Sequence, residues 1–248
     1  MKDRVNSSSV IGTRREFIKM SGVLITTTAV MQPKGLFAEA AKSNPEKKSE
    51  EQKGKEISPA EDLMREHGVL SRVLLIYDEI IIRLNSGKEF PVEVLVNSAG
   101  LIRRFVEDYH EKLEEEYLFP RFEKAGKLVD LVKILLQQHQ VGRRLTDHIR
   151  SLTALSTIKN PAEKRQLVRY LRLFIRMYRP HKSREDTVLF PAFHSIVLPN
   201  EFDFLGEAFE DKEEELFGKN GFERIVEEVG KIEKTLGIYE LSEFTPKM

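Results

Sequence analysis

Two stretches of this chain repeat one pattern of side chains that bind metal. Residues 110–120 read HEKLEEEYLFP and residues 181–191 read HKSREDTVLFP. Both spell His, three residues, Glu, an acid, two residues, Leu-Phe-Pro. One isolated histidine precedes each copy, His67 lying 43 residues before His110 and His139 lying 42 residues before His181. The chain thus carries a duplicated unit, a lone His on one helix followed by a His-x-x-x-Glu pair on the next. Two such units folded together bring four imidazoles and two carboxylates to one point, a ligand set that suits a pair of iron ions. A lone histidine or a single HxxxE pair is a weak signal, because either also occurs on ordinary helix faces. The duplication is what sharpens it: of only six histidines, four fall into the scheme, and His148 and His194 do not.

The elements that must position these residues are helices. Residues i and i+4 lie one turn apart on one helical face, so His110 can point with Glu114 and His181 with Glu185. A bundle of four helices turns such side chains inward to meet in its core. Ser58-Pro59 supplies an N-cap and a first-turn proline, and the first helix then runs to about Leu84, before Asn85-Ser86-Gly87. A second helix is expected from near Pro91 to about Lys124, a third from Leu128 to Leu155, and a fourth from Asn160-Pro161 to about Phe193. Pro180 should kink the fourth helix or open a turn beside His181. The prolines of the two LFP segments should end regular helix, leaving Leu118, Phe119, Leu189 and Phe190 as apolar walls. His148, nine residues past His139, should face outward. With short connections and no β-like alternation, the expected fold class is all-α, an up-down-up-down four-helix bundle over residues 58–195.

At these residues the chain resembles the hemerythrin-like, HHE cation-binding proteins, over roughly residues 58–195. Carried over residue by residue, the resemblance makes His67, His110, Glu114, His139, His181 and Glu185 the ligands, with Glu114 and Glu185 as bridging carboxylates. It also implies two non-heme iron ions with an oxo or hydroxo bridge. Oxygen-carrying hemerythrins have a further histidine one turn past the third-helix ligand, and here that position is Arg143. The pattern is closer to a four-histidine branch that includes proteins linked to nitric oxide response and iron–sulfur repair. Two histidines, two carboxylate oxygens and a shared solvent bridge give each iron five ligands and one open position. Arg143 cannot bind metal, but it could hydrogen-bond a bound anion or pair with an acid.

Several functions fit such a centre. One is a redox-active diiron protein that reacts with oxygen, peroxide or nitric oxide, as an oxidoreductase if it turns over. Another is a non-catalytic module that binds or senses a diatomic gas or stores iron. In a third the metal is only structural, although structural zinc sites favour closed, Cys-rich ligand sets and this chain has no cysteine. A ferritin-like carboxylate site would show Glu-x-x-His instead. The lack of cysteine also excludes disulfides, thiolate nucleophiles and iron–sulfur ligation by this chain.

The first forty residues read as an address. Thr13-Arg14-Arg15-Glu16-Phe17-Ile18-Lys19 matches the twin-arginine export pattern, an apolar stretch follows from Ser21 to Met31, and Ala38-Glu39-Ala40 is a small-x-small cleavage signal. The stretch is too short for a stable span, so a periplasmic or extracellular protein starting near Ala41 is expected, with an uncleaved anchor as the alternative. The export machinery is then one partner of the precursor; the sequence points to no particular electron donor. Residues 41–57 are charged and poor in apolar side chains, a tether. Removing residues 1–40 leaves 34 basic and 37 acidic residues, which gives no electrostatic case for nucleic acid. Residues 196–248 are expected to form a short helical extension packed on the bundle: an acidic segment over 200–217, breaks at Gly218 and Gly221, and a helix over 222–236. The acidic run is either a solvated face or a second cation site.

Overall fold

The structure, a computed structural model, describes residues 57–153, 159–246 and 248. The expected export signal and almost all of the tether lie outside the described residues. Six helices and no strand occur among those described.

Helix α1 spans Pro59–Ser86. Ser58 caps it by accepting from the Glu61 N–H, while the Glu61 carboxylate accepts from the Ser58 N–H. Gly87, at φ 73°, ends it in the left-handed region that glycine enters at little cost. Helix α2 starts at Val92–Leu101 and continues without a break through a π-helical stretch Ile102–His110, one α turn Glu111–Leu113, a second π turn Glu114–Leu118, and a closing α segment Phe119–Ala125. Helix α3 is Val129–Ser151, four residues shorter at its C-terminal end than expected. Helix α4 is Pro161–Arg184, capped by the Asn160 side chain, and runs on through a π turn Glu185–Leu189 into Phe190–Phe193.

The two kinds of proline site behave differently from a simple break. Helix continues through Pro180, so no turn opens there; Pro180 sits on the solvent side of α4, as does Arg176, whose carbonyl loses its usual partner to the missing N–H. The LFP prolines do not end their helices. Each is preceded by a π turn in which the N–H of the phenylalanine reaches back five residues, Phe119 to the Glu114 carbonyl and Phe190 to the Glu185 carbonyl. A proline cannot donate to the carbonyl four residues back, so the helix widens by one residue and then resumes.

Each bundle helix buries one stripe at helical spacing. On α1 it is Leu63, His67, Leu70, Leu74, Tyr77, Ile81 and Leu84; on α3 it is Val132, Leu135, His139, Gly142, Thr146 and Ile149; on α4 it is Leu167, Leu171, Phe174, Tyr178, His181 and Glu185. Each fully buried Leu or Phe contributes about 1.5–3 kcal/mol of transfer free energy. The histidines occupy places in these stripes that an aliphatic side chain would otherwise fill, so the bundle core and the polar site are built by one periodicity. Helix α1 packs on α2 and α4, and α3 packs on the same two from the other side. Helices α5, Pro199–Phe217, and α6, Gly221–Leu236, pack on each other and on α1 and α2. A short 3₁₀ turn, Leu241–Phe244, follows. No helix among the described residues is long and apolar enough to cross a membrane.

Candidate metal centre

The six residues singled out by the repeat all converge in the buried middle of the bundle. They meet as two clusters, His67, His110 and Glu114 in one, and His139, His181 and Glu185 in the other. The Nε2 atoms of His67 and His110 are 3.1 Å apart, and those of His139 and His181 are 3.2 Å apart. Each glutamate spans both clusters. One Glu114 oxygen lies 3.7 Å from His110 Nε2 and the other 3.4 Å from His139 Nε2. One Glu185 oxygen lies 3.1 Å from His181 Nε2 and the other 3.4 Å from His67 Nε2. Ligand atoms around one octahedral metal with bonds of about 2.1 Å sit roughly 3 Å from one another. The two clusters therefore have the dimensions of two adjoining metal sites joined by two carboxylates.

The outward nitrogens decide whether the donors fit a cation. His67 Nδ1 lies 2.6 Å from Asp186, His110 Nδ1 2.8 Å from Glu66, His139 Nδ1 3.1 Å from Glu115, and His181 Nδ1 2.9 Å from the Gln138 side-chain oxygen. Each partner accepts, so each Nδ1 carries the hydrogen and each Nε2 presents a lone pair. Four such lone pairs then face four carboxylate oxygens of Glu114 and Glu185, all buried and none accepting a hydrogen bond. Buried polar atoms are ordinarily satisfied. Neutral rings and ionised carboxylates in this array leave acceptors facing acceptors, an arrangement that metal cations satisfy and that only added protons relieve without them.

A sequence model of the Hemerythrin HHE cation binding domain matches residues 58–193. The chain belongs to this family. Uncharacterized proteins of Mycobacterium bovis and of Mycobacterium tuberculosis are 43% identical to it over 233 residues, 94% of this chain and 91% of theirs. No solved structure matches the chain significantly. HHE domains bind metal cations, typically iron, and the His and Glu clusters here fit that chemistry.

Around the clusters of this HHE domain the Leu-Phe-Pro segments seal the site. Phe190 stacks on the His67 ring at 5.5 Å and Phe119 on the His139 ring at 5.5 Å. Each phenylalanine thus covers a histidine of the other repeat. Leu118, Phe119, Leu189 and Phe190 are all buried.

Electrostatics divides the ligands. For His67, burial opposes charge, but Asp186 and Glu185 outweigh it and raise its pKa to about 9. Burial and the neighbouring His67 push His110 well below its ordinary range. Burial, against the pull of Glu115, leaves His139 at about 4. Burial, together with the charges of Glu185, Glu111 and Glu66, drives Glu114 well above the usual carboxylate range. Burial resists ionisation of Glu185 as well, yet His181 and His67 hold it below that range. A shared site with one acid favouring its neutral form and one its ionised form is how two close carboxylates behave when no cation separates them.

Arg143 takes the acid-pairing alternative. Its guanidinium lies 2.8 Å from Glu111 and 2.7 Å from Glu115, the acid that holds His139. His148 is exposed and stacks on Tyr170, and exposed His194 stacks on Phe202, so neither joins the centre. A groove of about 630 Å³ on the outside of α4, lined by Arg165, Arg169, Arg172 and Arg176, contains none of the six.

Four participants were overlooked in the sequence: Glu66, Glu115, Gln138 and Asp186. The repeat itself marks them. Glu66 and Gln138 directly precede the lone histidines, and Glu115 and Asp186 directly follow the paired glutamates. Glu111 was overlooked too; it is buried and accepts from the Tyr178 hydroxyl at 2.6 Å. The acidic segment on α5 contributes Glu213, which is buried with Asp62 and Glu66 and accepts from the Phe222 N–H at the start of α6.

Proposed function

We propose that the chain is an exported non-heme diiron protein that binds and reacts with a small oxidant, namely oxygen, peroxide or nitric oxide. His67 and His110 would hold one iron, His139 and His181 the other, with Glu114 and Glu185 spanning both. The observation that carries this reading is the set of eight buried acceptor atoms facing one another with their outward nitrogens already engaged. Bound iron would supply one-electron chemistry and an open position toward a diatomic molecule or peroxide. The chain's own contribution is to fix the four rings by their Nδ1 hydrogens, to bridge with two carboxylates, and to exclude water with Phe119, Phe190, Leu118 and Leu189. Arg143, engaged with two acids, is not assigned a role toward the oxidant. Export by the twin-arginine route rests on residues 13–19 and on the fact that this route carries proteins already folded around their cofactors.

The test is metal analysis and an optical spectrum of protein matured in its own host, as isolated, reduced, and after addition of oxygen or nitric oxide. About two irons per chain are expected from the donor count, with reduced protein oxidising rapidly in oxygen. One zinc and no iron would sink the proposal. A stable adduct that releases oxygen under vacuum would replace it with a carrier.

A further inference from the structure

We propose that the two metal positions are electrostatically unequal, and that the iron held by His67 and His110 is the one oxidised first. The inference rests on the diiron reading above. It comes from positions that the repeat makes equivalent and the chain fills differently.

On the first side, both Nδ1 hydrogens go to carboxylates, His67 to Asp186 and His110 to Glu66. Glu66 is buried; of the two carboxylates beside it, Asp62 has the Arg65 guanidinium at 3.9 Å and Glu213 accepts from the Phe222 N–H. Asp186 is 27% exposed at its side chain, so water weakens its share and Glu66 carries more of the effect. On the second side, the position equivalent to Glu66 is Gln138, a neutral amide. The position equivalent to Asp186 is Glu115, whose charge is met by Arg143 at 2.7 Å and Lys112 at 2.6 Å. Two carboxylates thus hold one pair of imidazoles; an amide and a carboxylate engaged by Lys112 and by Arg143, which Glu111 shares, hold the other.

A carboxylate that accepts the Nδ1 hydrogen pushes electron density into the ring and makes Nε2 a stronger donor; an amide does so less. Stronger donors favour the ferric over the ferrous ion, through hydrogen bonding rather than a change of ligand. Glu66 and Gln138 are therefore positioning residues that act through the histidines they hold. In the first oxidation one electron leaves the ferrous ion beside His67 and His110 and passes to a soluble one-electron mediator dye. No bond forms or breaks. The iron beside His139 and His181 stays ferrous until the second step.

A mediated redox titration of the iron-loaded protein, followed by electron paramagnetic resonance of the half-oxidised form, separates the two steps. Glu66→Gln keeps an acceptor for His110 and should raise the potential of the first oxidation step while moving the second less. Gln138→Glu should lower the potential of the second step. Asp186→Asn, which also keeps an acceptor, should act in the same direction as Glu66→Gln and serves if that variant holds iron poorly. A shift confined to the second step in Glu66→Gln, or equal shifts of both steps in either variant, overturns the inference while leaving the diiron reading intact. Wild-type protein without two coupled irons overturns both, and iron analysis of the same samples tells the two failures apart.

Discussion

A histidine binds metal only through the nitrogen that carries no hydrogen, so the partner of its other nitrogen matters as much as the ring. Asp186, Glu66, Glu115 and Gln138 fill that role for the four central rings. At this scale Glu114→Ala and Glu185→Ala should each lose most bound iron, because each removes a donor from both clusters. His148→Ala and His194→Ala should leave iron and spectrum unchanged, and metal loss in His148→Ala to the level of Glu114→Ala would break the ligand assignment. Glu115 gives a pH dependence. Burial opposes its charge, but hydrogen bonds from His139, Lys112 and Arg143 outweigh that and lower its pKa from 4.5 to about 2. Its folded pKa is the depressed one, so its stabilising share is present above pH 4.5 and lost as pH falls toward 2. Metal-free Glu115→Gln should therefore lose less stability than the parent between pH 5 and pH 3, read as midpoints of urea unfolding at each pH.

At the scale of elements, the centre depends on how closely α3 and α4 approach. Gly142, in the buried stripe of α3, lies against the Tyr178 hydroxyl, with no room there for a Cβ. The same hydroxyl donates to Glu111. Gly142→Ala should push Tyr178 aside, free the Glu111 carboxylate and destabilise the fold by about 1–3 kcal/mol, the usual magnitude of overpacking. Thermal unfolding with a spectrum of the iron-loaded variant would check it, and unchanged stability would mean the helices can move apart freely. The π turns make a second expectation. Pro120→Ala restores an N–H that can reach the Glu116 carbonyl, which lets the wide turn Glu114–Leu118 tighten. Phe119 would then rotate off His139, so a changed iron spectrum with little change in melting temperature is the expected result.

For the whole molecule, the metals and the fold should be linked. The buried acceptors of the centre repel one another unless cations lie between them, so chelation should lower the melting temperature. If iron is present at a hundred times its dissociation constant, linkage amounts to about 2.7 kcal/mol, or roughly 5–10 °C for a domain of this size. Calorimetry of matched loaded and stripped samples tests it, and equal melting temperatures would count against a tightly held centre. Replacing both Arg14 and Arg15 with Lys should keep the precursor in the cytoplasm; normal accumulation outside it would refute the proposed route.

Much of this was written in the order of residues. The duplicated His and His-x-x-x-Glu spacing named all six central residues, because helical periodicity alone puts positions four apart on one face. The same periodicity, with Ser58-Pro59, Gly87 and Asn160-Pro161 as starts and stops, marked four helices to within a few residues, since capping is a local property. Other features were decided only by the tertiary structure. Whether Arg143 faced an anion or an acid depended on Glu111 and Glu115 of α2, a neighbour that no spacing on α3 reveals. The LFP prolines announced a break, but the Leu and Phe before each are buried in the core and the helix resumes after a π turn. The crossing of the repeats, with Phe190 over His67 and Asp186 behind it, exists only once two units are folded face to face. Local sequence determines which way a side chain points along its own helix; what it meets there is fixed by the other helices of the core.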